Sequence, residues 1–107
     1  MNSLLLDIRT REEYCSGYLC GAILIETPLP PLSFEYKNNL QSNLYHVTKN
    51  ISHSTPIYVY CKKGVRADIA VKILNKMGYR NTRSLGGVEM SPLRDIMNEG
   101  IRVCRCV

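Results

Sequence analysis

The residues best suited to chemistry lie in one segment, Ile57-Tyr58-Val59-Tyr60-Cys61-Lys62-Lys63-Gly64-Val65-Arg66-Ala67-Asp68. A β-branched and aromatic run ends directly in a cysteine. A short loop containing glycine follows, and a helical pattern begins at Arg66. A loop that feeds a helix N-terminus points successive backbone N–H groups inward and forms an anion nest. That nest, the helix dipole and the neighbouring Lys62, Lys63 and Arg66 favour a thiolate, the nucleophilic form of cysteine. Cys61 is therefore the candidate catalytic residue. Lys62, Lys63, Gly64, Val65 and Arg66 form the candidate substrate-binding loop, with Gly64 where the backbone must take a positive φ or approach a ligand. The backbone amides from Lys62 to Arg66 are expected to face the anionic sulfur, and the two lysines to attract an anionic substrate. The planar, multidentate head of Arg66 suits closure of the loop onto carbonyls or a carboxylate better than contact with substrate.

The flanking sequence supplies the elements that must hold this loop. Leu4 to Ile8 and Ala22 to Ile25 read as short buried strands, as does Ile57 to Tyr60. Thr82 to Leu85 reads as a further strand ending at Gly86-Gly87. Thr10-Arg11-Glu12-Glu13 has the pattern of a capping box and opens a short helix before Gly17. Leu40, Leu44, Val47 and Ile51 share one helical face. Arg66 to Met77 is a second amphipathic helix, with Ala70, Ile73, Leu74 and Met77 inward and Gly78 at its end. Ser91-Pro92 opens a last helix running to about Asn98. Buried strands alternating with helices predict an α/β fold: three α/β/α layers around a small, mostly parallel sheet of 4–5 strands. In such sheets ligands bind at the carboxyl edge, where Cys61 stands.

Composition narrows the function. The 107 residues suffice for a single domain, residues 1–107, with 45% hydrophobic and 21% charged residues. No apolar run is long enough to span a bilayer, so no membrane partner is expected. The N-terminal residues lack the basic and apolar regions of a signal peptide. The net charge of +5 is spread along the chain, and its longest basic run is Lys62-Lys63. That is a poor nucleic-acid footprint, so no nucleic-acid partner is expected. Cys15, Cys20, Cys61, Cys104 and Cys106 are odd in number and contain no CxxC pair, so neither a closed disulfide framework nor a zinc ribbon is indicated. Reduced thiols in a cytoplasmic setting are the expectation. Cys104 and Cys106 would share one face of a strand. His46 and His53 lack metal-ligand spacing, and no cofactor or metal is expected.

Cys61-x-x-Gly64-x-Arg66, followed by an amphipathic helix and Gly78-Tyr79, resembles the active-site loop of the rhodanese-like (sulfurtransferase) family. Asp7-Ile8-Arg9, Glu13-Tyr14, Gly17, Gly21-Ala22 and Ile25 are similar to the family's opening signature, and Leu85-Gly86-Gly87-Val88 to its late double-glycine turn. The likeness spans Leu4 to Met90. Tyr18 replaces a usual histidine, Cys20 a usual proline, and the usual tryptophan after the double glycine is absent.

The resemblance implies a single rhodanese-like domain. Its chemistry would be a Cys61 persulfide carrying sulfane sulfur from a small anionic donor such as thiosulfate to cyanide or a thiol, a protein thiol included. It also implies a structural ion pair around Arg9, with Glu13 as the natural partner, and leaves Asp7 as a residue at the strand end. Family members carry an extra first strand beside the strand that ends at the double glycine. Only Met1 to Ser3 precede Leu4 here, so residues 101–107 are expected to fill that place.

Two other readings compete. Phosphatases and arsenate reductases also set a cysteine thiolate in a loop closed by arginine, but those loops hold one residue more. The shorter loop here suits one sulfur atom better than a tetrahedral oxyanion, and no neighbouring aspartate offers a general acid. Rhodanese-like domains also serve as non-catalytic binding or regulatory modules.

Overall fold

The computed structural model describes residues 2–107. In chain order the elements are β1 (Leu4–Asp7), α1 (Arg11–Ser16), β2 (Tyr18–Leu19), β3 (Ile23–Leu24), α2 (Phe34–Thr48), β4 (Ile57–Cys61), α3 (Val65–Lys76), β5 (Thr82–Gly87), α4 (Leu93–Glu99) and β6 (Val103–Cys104). Four strands form one sheet in the order β3-β1-β4-β5. All three of its pairings are parallel, as strand–helix alternation predicts.

Strand alternation sorts the apolar residues onto two faces. Leu6, Ile8, Ile57, Val59 and Cys61 point to one face, where Leu40 and Leu44 of α2 and Ala67, Ala70 and Leu74 of α3 cover them. Leu5, Tyr60 and Leu85 point to the other, against Leu19, Leu93, Ile96 and Met97. The result is a three-layer α/β/α fold. The first core is larger and draws nothing from α1, β2, α4 or the C-terminal residues.

The C-terminal segment departs from expectation. It does not lie beside β5; β6 instead pairs antiparallel with β2, Tyr18 opposite Cys104 and Leu19 opposite Val103. β5 is left as a sheet edge among the described residues. The cause is covalent as well as local. Cys15 is bonded to Cys106 and Cys20 to Cys104, which pins the tail to α1 and β2. The expectation of five reduced thiols is therefore corrected: four are cross-linked, and Cys61 is the free cysteine. Three hydrogen bonds run alongside: Cys106 N–H to the Cys15 carbonyl, Cys20 N–H to the Arg102 carbonyl, and Arg105 Nε to the Ser16 carbonyl.

Candidate active site

Cys61 ends β4 on the α2/α3 face and is 1% exposed. The chain turns at Gly64, whose φ of +97° is left-handed, and enters α3 at Val65. This turn brings two backbone donors to the sulfur. The Gly64 N–H lies 3.0 Å and the Ala67 N–H 3.4 Å from Cys61 Sγ. Ala67 is the third residue of α3, so its amide is one of the helix's unpaired first-turn donors. Two backbone N–H groups thus converge on the sulfur from the loop and the first turn of α3, the arrangement of an anion nest.

The loop is locked from both sides. The Cys61 and Lys62 carbonyls accept from Val88 N–H and Glu89 N–H, at 2.9 and 3.1 Å. Gly87 lets β5 come this close: a Cβ there would lie 2.1 Å from the Lys62 carbonyl oxygen. On the other side Arg66, 2% exposed, reaches α1. Its Nη1 and Nη2 donate to Glu13 Oε1 and Oε2 at 2.9 and 3.2 Å, and Nη1 also donates to the Thr27 carbonyl at 3.2 Å. Arg66 thus ties the loop to a carboxylate and a carbonyl.

Glu13 is part of the capping box as well: its carboxylate accepts from Thr10 N–H, and the Thr10 hydroxyl accepts from Glu13 N–H. Burial alone would push its carboxyl up, but the Arg66 hydrogen bonds, the Thr10 N–H and the Arg66 charge bring it down from 4.5 to about 2.

The pairing expected between Arg9 and Glu13 is replaced by another. Arg9 Nε and Nη2 donate to Asp7 at 2.9 and 2.7 Å, and Nη2 also donates to the Gly17 carbonyl at 2.7 Å. Asp7 and Arg9 are buried on the Tyr60 side of the sheet, the Arg9 guanidinium 5.6 Å from the Tyr60 ring centre. Tyr60 Oη accepts from Leu19 N–H at 3.0 Å. Burial, together with nearby Asp7, pushes the Tyr60 hydroxyl well above its ordinary range.

A cleft of about 320 Å³ opens at the loop, lined by Leu29 and Pro30 and by Cys61, Lys62, Lys63, Val65 and Arg66. Lys62 is 3.5 Å from Glu89 and partly exposed; Lys63 is exposed. Gly64 serves through its backbone, Val65 presents an exposed side chain to the cleft, and the Arg66 guanidinium is taken up by Glu13 and the Thr27 carbonyl. Sequence reasoning missed the Ala67 amide and the role of Glu13. The first was legible from where the helix starts, the second only from the tertiary approach of α1. Among the described residues no group of His, Cys, Asp and Glu could hold a metal ion, and no helix is long and apolar enough to cross a membrane.

The model of the rhodanese-like domain matches residues 1–89. The chain belongs to the rhodanese-like domain family. Among curated relatives, it is 28% identical over 82 residues to thiosulfate sulfurtransferase 18 of Arabidopsis thaliana, covering 77% of this chain and 60% of that protein. It is 26% identical over 104 residues to the tRNA uridine(34) hydroxylase of Buchnera aphidicola subsp. Baizongia pistaciae, covering 95% of this chain and 30% of that protein. This rhodanese-like chain therefore spans less than two thirds of the length of either relative. A rhodanese with anions from E. coli superposes with a TM-score of 0.69 at 22% identity, covering 97% and 99% of the two chains. The rhodanese-like domain of the Alr3790 protein from Anabaena sp. gives 0.67 at 20% identity, covering 96% and 87%. These likenesses establish the fold.

Proposed function

We propose that this rhodanese-like domain is a sulfurtransferase that carries sulfane sulfur on Cys61. The observation that carries the reading is a buried Cys61 that lines a cleft and has the Gly64 and Ala67 N–H groups directed at its sulfur. The Cys61 thiolate attacks the outer sulfur of a small anionic donor such as thiosulfate. A sulfur–sulfur bond forms, the donor's own sulfur–sulfur bond breaks, and sulfite leaves with the bonding electrons. The Gly64 and Ala67 amides hold the resulting persulfide anion, as preorganised donors hold charge elsewhere. A thiolate or cyanide then attacks the terminal sulfur and regenerates the Cys61 thiolate.

Lys62 and Lys63, both lining the cleft, draw in the anionic donor. The two disulfides favour an oxidising compartment over the cytoplasm.

Mass spectrometry after thiosulfate treatment tests the reading. A gain of about 32 Da on the Cys61 peptide, one sulfur atom, is expected, and it disappears on adding cyanide. The Cys61→Ser variant should show neither adduct nor thiocyanate production. A folded protein that gains no sulfur would overturn the reading in favour of a binding module. Turnover of an aryl phosphate with none of thiosulfate would overturn it in favour of phosphoryl chemistry.

A further inference from the structure

We propose that the Cys15–Cys106 and Cys20–Cys104 bonds form a thiol-exchange clamp, opened by a dithiol, whose opening loosens the loop around Cys61. The connection runs through α1. Within two residues this helix carries both Cys15, bonded to the tail, and Glu13, which holds Arg66 by two hydrogen bonds. α1 has six residues, none of them buried. A helix this short has little stability of its own and depends on what it is tied to.

The tail is similarly weak alone: β2 and β6 contribute two residues each, and Ile101, Arg102, Arg105, Cys106 and Val107 are exposed. The disulfides therefore hold the tail in place, and Cys15–Cys106 adds the tail to the other ties of α1, the Glu13–Arg66 pair and the Tyr14 hydroxyl that donates to the Ala22 carbonyl. The larger core contains no residue from α1, β2 or residues 101–107. Opening the clamp thus releases one corner of the molecule and leaves the packed sheet with α2 and α3 standing.

The clamp is reachable. Each disulfide has one exposed partner, Cys106 in the first and Cys20 in the second. A dithiol's thiolate attacks such an exposed sulfur, forming a mixed disulfide and expelling the other cysteine as a thiolate. The dithiol's second thiolate then closes on its own sulfur and releases the first cysteine. Per bond, the dithiol loses two electrons and two protons, and the two cysteines take them up. A disulfide of the same class reverses the step.

The test uses the full oxidised chain with dithiothreitol as the dithiol, read by amide hydrogen exchange. After reduction, exchange of residues 11–16 and 102–106 should rise by about tenfold or more, and that of Gly64 and Ala67 by about tenfold, while β1, β4 and the middle of α3 change less than about twofold. A Cys15→Ser, Cys20→Ser, Cys104→Ser, Cys106→Ser variant should match the reduced protein without reductant, and iodoacetamide should label its Cys61 faster. Three outcomes overturn the proposal: release of the tail without change at Gly64 and Ala67, cooperative loss of protection across the whole sheet, or resistance of both bonds to dithiothreitol. The exchange readout holds even where Cys61 transfers no sulfur, so its failure is distinct from failure of the sulfurtransferase reading.

Discussion

Replacing Glu13 by glutamine removes a charge and almost no volume. Arg66 would then keep its buried guanidinium with only the Thr27 carbonyl and a neutral amide to receive it. The cost follows from the titration of the carboxyl. A folded-state value of about 2 against the ordinary 4.5 corresponds to about 3 kcal/mol of stabilisation at neutral pH. The Glu13 side chain is 19% exposed, so solvent screens part of this, and about 2 kcal/mol is the working figure. For a domain of this size that lowers the melting temperature by roughly 10 °C.

The sign with pH is fixed by the direction of the shift. Because folding depresses the carboxyl, its contribution is complete above the unfolded value near 4.5 and is lost as pH falls toward 2. Urea denaturation of the oxidised wild type and Glu13→Gln proteins at several pH values measures it. The stability gap should be about 2 kcal/mol at pH 7 and should shrink steadily below about pH 5. A gap unchanged between about pH 7 and pH 2.5, or below about 0.5 kcal/mol throughout, would refute the claim that this ion pair secures the loop.

Other perturbations address separate parts of the site. Gly87→Ala places a methyl group against the backbone of Lys62 and Lys63, which must shift. It should cost about 3 kcal/mol or more in thermal unfolding and lower sulfur transfer with it. Tyr60→Phe leaves the buried Leu19 N–H without its acceptor. Denaturation should show a loss of about 1–2 kcal/mol, with faster hydrogen exchange at Leu19. Replacing Lys62 and Lys63 together by alanine should raise KM for thiosulfate severalfold at low salt and leave kcat nearly unchanged, with the difference fading as ionic strength rises.

The strands and helices were legible because their signals are local. Ile57 to Tyr60 and Leu4 to Ile8 are apolar runs of strand length, and the capping box at Thr10 and the glycine after Glu99 mark helix ends directly. The candidate site was legible for the same reason: Cys61, Gly64 and Arg66 lie within one loop, and a strand that runs into a helix forms a nest by its own geometry. The disulfides were not legible. Cys15 and Cys106 are 91 residues apart and Cys20 and Cys104 are 84 apart, so their pairing depends on the whole fold returning the tail to α1. An odd cysteine count argued against a closed framework, yet it equally fits two bonds and one thiol kept apart for chemistry. The open edge at β5 offers the tail a place to pair, but it exerts no force that outweighs two covalent bonds elsewhere.

The two arginines show how close the sequence came to the pairing scheme. Arg9 and Glu13 stand four apart, the spacing of neighbours on a helix. Yet Arg9 precedes α1, and the extended chain continues past β1, with Ile8 N–H bonded to the Tyr60 carbonyl. In extended chain the neighbours on one face are two apart, which places Asp7 and not Glu13 beside Arg9. That choice sets the site. With Asp7 neutralising Arg9 on the Tyr60 side of the sheet, Glu13 keeps a free carboxylate that can accept both guanidinium nitrogens of Arg66. Had Glu13 been spent on Arg9, Arg66 would be buried with no anion, a state that costs several kcal/mol. The loop around Cys61 would then need another way to close. The Asp7–Arg9 pair touches nothing in the cleft, but it leaves Glu13 free to secure the loop that presents the sulfur.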